Sequence, residues 1–301
     1  MKIGYPCINW RIGCKTSSKF KLKNYSEDNL IKKIENNLYC LKKTLEFNIK
    51  NNLLFFRISS DTIPFASHPI CQFNWANYFK EKFAEIGQLI KKNHLRISMH
   101  PDQFVLINSL DKEVIKKSIK ELEYHCQILD LLHLDSTAKI QIHVGGVYGD
   151  KKRSIKRFVE NYKKLDNKIK KRLVIENDER QYSLKDCLNI AKETNIPIVF
   201  DVFHHYLNNN GESIREGIIL AQKTYQKKDG ILIVDYSNQK KNARLGTHSD
   251  HIDVDLFKQF INETEGLDFD IMLEIKDKEK SALEAAQYLK KQKHKYFVFI
   301  N

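Results

Sequence analysis

At 301 residues, with 42% hydrophobic and 11% aromatic side chains, the chain is long enough for a sizeable core and too apolar to be disordered. A formal net charge of +13 favours polyanionic partners, nucleic acid first among them, although lysines spread over many helices also serve simply as solvated surface. There is no run of about 18 apolar residues, Met1-Lys2-Ile3-Gly4-Tyr5 turns polar too soon for a secretory leader, and the six cysteines form no Cys-x-x-Cys pair; a reducing cytoplasm is therefore expected, without a membrane span, a disulfide framework or a cysteine zinc site.

Short apolar runs alternate with longer amphipathic segments along the chain. A strand is predicted over 2–5, then a helix over 28–50, where Leu30, Ile34, Leu38, Leu41 and Leu45 recur at helical spacing. Strand 53–58 precedes a helix over 75–93, strand 95–99 a helix over 111–134, and strand 139–143 a helix over 152–169. Strands at 172–175, 197–201 and 231–235 alternate with helices over 183–194, 212–226 and 253–262. Strand 269–274 and a helix over 279–291 complete the series. The strands are continuous apolar runs, as parallel strands buried on both faces read. Eight such units predict an α/β protein, a single (β/α)8 TIM barrel domain over 1–301. A doubly wound sheet is the alternative, but it usually carries a Gly-rich phosphate loop after its first strand, and "GYPCINW" is not one.

The C-terminal ends of those strands share a chemistry. Strand three closes on His100 in "SMHPDQF", strand four on His143 in "HVGG", and strand five on Glu176 in "ENDE". Strand six gives Asp201 and, one turn on, His204; strand seven gives Asp235, with His248 in its loop; strand eight gives Glu274. One such residue alone is more often a helix cap or a satisfied loop residue, and His68, His94, His125, His133, His251 and His294 fall in that class. The strand-end set differs because a barrel directs every member to one mouth. Four imidazoles and four carboxylates there need cations to neutralise them. An all-N/O ligand set suits Zn2+, Mn2+ or Mg2+, and two or three ions can be housed. Such a cluster suits phosphodiester hydrolysis, and with the basic charge it points to a nuclease.

Several motifs resemble one family, the UV damage endonucleases. They are "GYPCIN" at 4–9, "FRIS" at 56–59, "PFASHP" at 64–69, "SMHPDQF" at 98–104 and "HVGGVYG" at 143–149. They continue with "RFVEN" at 157–161, "ENDER" at 176–180, "DVFHH" at 201–205 and "LEIKDKE" at 273–279. The resemblance implies metal ligation by His100, His143, Glu176, Asp201, His204, His248 and Glu274, with manganese the usual metal. It implies that Gln103 and Phe104 form a wedge inserted into distorted duplex, and that Tyr5 and Asn9 contact the lesion. It further implies cleavage immediately 5′ of a pyrimidine dimer or (6-4) photoproduct, leaving a 3′-hydroxyl and a 5′-phosphate. One stretch departs: where many members carry Lys-x-His on strand seven, with the lysine carboxylated, this chain reads Ile233-Val234-Asp235. Asp235 is then expected as an oxygen ligand in place of the histidine. Glu176, Asp201 and Glu274 are the expected catalytic carboxylates, damaged double-stranded DNA the expected partner, and a monomer the expected state. The rivals are an abasic-site endonuclease of the endonuclease IV kind, a metal-dependent sugar isomerase, and a non-catalytic DNA-binding barrel.

Overall fold

The computed structural model describes residues 1–292, so the sequence expectation for His294 lies outside the described residues. Eight parallel strands close into a barrel in chain order: β1 (Ile3–Pro6), β2 (Phe55–Ile58), β3 (Arg96–Met99), β4 (Lys139–His143), β5 (Leu173–Glu176), β6 (Ile198–Asp201), β7 (Leu232–Tyr236) and β8 (Phe269–Leu273). The barrel expectation is met, strand for strand. Around it lie α1 (Glu27–Lys50), α2 (Trp75–Tyr78), α3 (Lys80–Lys92), α4 (Lys112–Leu131), α5 (Lys151–Lys164), α6 (Asn167–Lys170), α7 (Leu184–Thr194), α8 (Val202–Leu207), α9 (Ile214–Gln222), α10 (Val254–Glu263) and α11 (Glu279–Lys291). No helix among the described residues is long and apolar enough to cross a membrane.

Two predicted helices are interrupted. The segment 75–93 breaks at Phe79 into α2 and α3, and 152–169 breaks after Lys164, where Leu165 turns to an extended conformation and Asp166 caps α6. Hydrophobic periodicity continues across both breaks, so the sequence pattern could not reveal them. α8 is also additional: Asp201 ends β6, and its side chain accepts the backbone N–H of His204 at 2.7 Å, so one residue closes a strand and caps a helix.

Strand parity carries the fold into the site. Phe55, Val174, Val199, Ile233 and Met272 form a separate apolar layer inside the barrel, while alternate strand residues pack outward in the main core. Two residues towards the mouth from that layer, the same parity gives Arg57, Glu176, Asp201, Asp235 and Glu274. Ile233, at the departing position of strand seven, belongs to the apolar layer. Gly4 is required at the first strand, because a Cβ there would lie 1.5 Å from the carbonyl oxygen of Phe55.

One expectation is corrected. Cys14 and Cys40 form a disulfide, with Cα atoms 5.8 Å apart, stapling the loop after β1 to the buried face of α1. Their separation of 26 residues carried no recognisable spacing, and only the loop's path over α1 brings them together. Cys7, Cys71, Cys126 and Cys187 are free, as expected.

Candidate metal centre at the barrel mouth

Six of the eight strand-end residues, His100, His143, Glu176, His204, His248 and Glu274, line a cavity of about 580 Å³ together with Arg57 and Gln103, while Asp201 and Asp235 are buried outside its lining. A larger cavity of about 830 Å³ lies elsewhere, among α4, α6 and the segment 66–72, with none of the strand-end acids in its wall. The four imidazoles form a chain, with ring centroids 5.3 Å apart for His100–His143, 6.0 Å for His143–His204 and 6.1 Å for His204–His248.

Three of these rings are oriented by backbone. The Nδ1 atom of His100 lies 2.8 Å from the Pro101 carbonyl, that of His204 lies 3.0 Å from the Asn177 carbonyl, and that of His248 lies 2.8 Å from the Glu274 carbonyl. Each Nδ1–H donates to its carbonyl, which leaves Nε2 as the ring nitrogen that a metal could take once it is deprotonated. This is how metal-ligating histidines are held. His143 Nε2 lies 2.9 Å and His100 Nε2 3.7 Å from the same oxygen of Glu176, Oε1.

The carboxylates divide into two kinds. Glu176 Oε2 and Asp201 Oδ2 are buried without a hydrogen bond, an expensive state for anionic oxygens that a cation relieves; Asp201 Oδ2 has His204 Nδ1 at 3.4 Å, in ion-pair range. The donor set fits divalent ions: His100, His143 and Glu176 form one group, and Asp201, Asp235 and Glu274 another, with ligand atoms within 4.8 Å of one another in each. Asp235, however, is fully engaged. Arg57 Nη2 donates to both of its oxygens, at 2.9 and 2.8 Å, and Gln141 Nε2 donates to Oδ2 at 2.6 Å. Arg57 Nη1 also donates to Glu274 Oε1.

Arg57, Gln141 and Asn177 belong neither to the strand-end set nor to the roles that the family resemblance implies. Asn177 clamps β5 to β6, donating to the Asp201 carbonyl at 2.9 Å and accepting the Asp201 N–H at 3.0 Å. Strand parity was the available signal for Arg57 and Gln141, since both share the inward face of the strand-end acids. Glu179, within "ENDER", also reaches the cavity, 3.9 Å from His204 Nε2 and paired with Arg180 at 3.4 Å.

Charge and burial shift the titrations. Burial works to lower the His143 pKa, but the Glu176 carboxylate outweighs it and raises the value to about 9; for His204, Asp201 likewise overcomes burial and raises it to about 10. Burial pushes Asp201 up to about 6, and it also works to raise Glu274, which Arg57 nevertheless holds down at about 2. In the metal-free protein His143 and His204 therefore keep protons through neutrality. Their raised values stabilise the fold fully below the ordinary value of 6.5, and that contribution disappears as pH rises through about 9 and 10. A divalent ion such as Mn2+, if ligated by these rings, would have to displace their protons. Its affinity is expected to climb from pH 6 to pH 9, by up to about a hundredfold per unit where two protons leave together. Calorimetric titration in buffers of different ionisation enthalpy counts the protons released; none released at pH 7 contradicts this assignment.

The remaining expected residues lie apart from the cluster. Gln103 and Phe104 occupy the loop between β3 and α4, and Phe104 is 54% exposed at the rim. Tyr5 and Asn9 do not reach the surface: Asn9 Nδ2 donates to the Tyr5 hydroxyl at 2.7 Å, and that hydroxyl donates to Asn48 Oδ1 at 2.6 Å. Both are buried, so their contact with a lesion requires this pair to open. His251 has acidic partners on the surface, with Nδ1 2.6 Å from Asp277 and Nε2 2.9 Å from Glu284, away from the strand-end acids.

Residues 2–296 match the family model described as UV-endonuclease UvdE. The chain is 44% identical over 292 residues to the UV DNA damage endonuclease of Clostridium perfringens (strain 13 / Type A), covering 96% of this chain and 71% of that relative. The crystal structure of SacUVDE superposes with a TM-score of 0.94 at 45% identity, over 98% of this chain and 99% of that one. Endonuclease IV from Thermus thermophilus superposes over 84% of this chain and 94% of that one with a TM-score of 0.57, but at 14% identity, a likeness of fold alone. A barrel whose strand ends converge on one N/O cluster is common to many chemistries. The continuous match in sequence, motif order and backbone separates them, and by it this chain belongs to the UV-endonuclease UvdE family.

Proposed function

We propose that the protein is a metal-dependent DNA repair endonuclease that nicks the phosphodiester immediately 5′ of UV photoproducts, leaving a 3′-hydroxyl and a 5′-phosphate. The observation that carries the reading is a chain of four imidazoles beside buried carboxylates, with Glu176 Oε2 and Asp201 Oδ2 lacking a hydrogen bond, in a chain of the UV-endonuclease UvdE family. His100, His143, Glu176, Asp201, His204, His248 and Glu274 would hold two or three divalent ions, with Mn2+ favoured over Zn2+ or Mg2+. When bound, such ions supply an activated water near neutral pH and stabilise charge on the phosphoryl oxygens. The chain's own part is orientation. The Pro101, Asn177 and Glu274 carbonyls fix three rings, and Asn177 locks the β5–β6 register under Asp201. Lys276 and Lys278 in the cavity wall, and the overall charge of +13, draw the DNA backbone to the mouth.

A crosslinked pyrimidine pair stacks and pairs poorly, so displacing it from the duplex costs less than displacing normal bases. Phe104, exposed at the rim, suits the vacated stack, and Gln103 beside it suits the bases opposite. Phe104→Ala is expected to keep metal binding and melting temperature while losing roughly 5- to 150-fold in affinity for damaged duplex, the worth of about 1–3 kcal/mol of base stacking. Undamaged DNA, held through phosphates, is expected to change much less. A binding titration on one oligonucleotide with and without a single thymine dimer checks this; equal losses on both would make Phe104 a packing residue.

Nicking of UV-irradiated plasmid, run beside abasic-site oligonucleotides and aldoses, tests the function. Cleavage confined to abasic sites would favour the endonuclease IV kind of activity, turnover of an aldose a sugar isomerase, and binding without cleavage a non-catalytic barrel.

A further inference from the structure

We infer that Arg57 serves as a resident cation of the centre, withdrawing Asp235 from the ligand set and limiting the site to two divalent ions. The inference rests on the metal-dependent reading above and concerns how the charge in that site is balanced.

The four inward carboxylates are not equivalent. Glu176 Oε2 and Asp201 Oδ2 are buried without a hydrogen bond, and histidines stand beside both acids: His143 and His100 Nε2 lie 2.9 and 3.7 Å from Glu176 Oε1, and His204 Nδ1 lies 3.4 Å from Asp201 Oδ2. Asp235 has no oxygen to spare. Its two oxygens accept from one nitrogen of Arg57, and Gln141 adds a third hydrogen bond. Gln141 in turn accepts from the same guanidinium nitrogen at 2.9 Å, so its amide is locked in the orientation that directs its N–H towards Asp235. The other terminal nitrogen of Arg57 reaches Glu274. Only Arg57 Nε lacks a partner.

Arg57 is itself buried, and an isolated guanidinium in that position would be prohibitively desolvated. Its planar fork spans Asp235 and Glu274, which a metal ion would otherwise have to neutralise. An ion ligated by Asp235 would share that carboxylate with Arg57, two cations on one buried acid. Glu274 keeps a second oxygen, Oε2, outside these contacts, and it remains available to a metal on the histidine side.

Formal charge agrees. Four carboxylates against one guanidinium leave three negative charges. Two divalent cations exceed this by one, which a single phosphodiester cancels. A third would leave the loaded site strongly positive even with substrate present. The fixed position of the guanidinium also has a structural basis: Arg57 follows the apolar-layer residue Phe55 by two on β2, so strand parity aims it up the barrel axis.

The test is a metal count on the full chain. Protein stripped with a chelator is dialysed to equilibrium against saturating Mn2+, and bound manganese per chain is measured by elemental analysis. Two ions are expected in the wild type; three overturn the inference. A count of zero would instead remove the metal-dependent reading beneath it. Asp235→Asn is expected to keep two ions, because Asp235 is not a ligand, and loss of one ion would overturn the inference. Arg57→Met frees Asp235 and Glu274 and is expected to take up one further ion. An Arg57→Met protein that folds and still holds only two, with unchanged affinity, also counts against it. If Arg57→Met fails to fold, the wild-type and Asp235→Asn counts decide the question.

Discussion

Glu176→Ala is expected to cost at least about a thousandfold in nicking rate. Glu176 ends β5 in the wall of the cavity, one oxygen is 2.9 Å from His143, and the other is buried with no partner. No other carboxylate of the centre stands against two of its histidines through a single oxygen. A carboxylate so placed would serve more than one ion. Several kcal/mol of transition-state charge stabilisation depends on the ions it holds, and about 4 kcal/mol corresponds to three orders of magnitude in rate. The metal-free fold should also lose some stability, because burial works against the Glu176 carboxylate but His143 and His100 outweigh it and hold it well below the usual range, and alanine removes that pairing. Single-turnover rates on a dimer-containing oligonucleotide, beside thermal melts, check both statements. A rate within tenfold of wild type would mean that the cluster is misassigned.

The second large effect is metal removal. Exhaustive chelation is expected to abolish nicking and added Mn2+ to restore it best, because every candidate ligand is nitrogen or oxygen. The same experiment has a second readout in stability. An ion that binds only the folded chain adds about 2.7 kcal/mol at a hundred times its dissociation constant, so the loaded protein should melt measurably higher. Undiminished cleavage in rigorously metal-free buffer would sink the reading, and so would a melting temperature indifferent to Mn2+.

Strand order and which acids and histidines close the strands were legible in the sequence because both depend on local rules. A buried parallel strand is a short apolar run, and its last inward residue must face the mouth. Reading the strand ends alone therefore collected His100, His143, Glu176, Asp201, Asp235 and Glu274 without any knowledge of their neighbours. The same local logic placed His204 one turn beyond Asp201, and the short helix capped by Asp201 fulfils it.

What the tertiary structure alone decided is which members touch. Lateral register sets His143 opposite Glu176 and Asp201 opposite Asp235, and nothing local to those strands encodes either pairing. The Arg57–Asp235 pair joins residues 178 apart, across the barrel interior, and it sets a guanidinium on a carboxylate that the sequence offers as a metal ligand. Cys14 and Cys40 meet because a loop lies along α1, and Tyr5 and Asn9 are buried in a relay in which Asn9 donates to the Tyr5 hydroxyl and that hydroxyl donates to Asn48. Sequence periodicity reports which face of an element a residue occupies. Which groups meet across a closed interior, and so which charges are already compensated before any ion binds, follows only from the closure of the barrel.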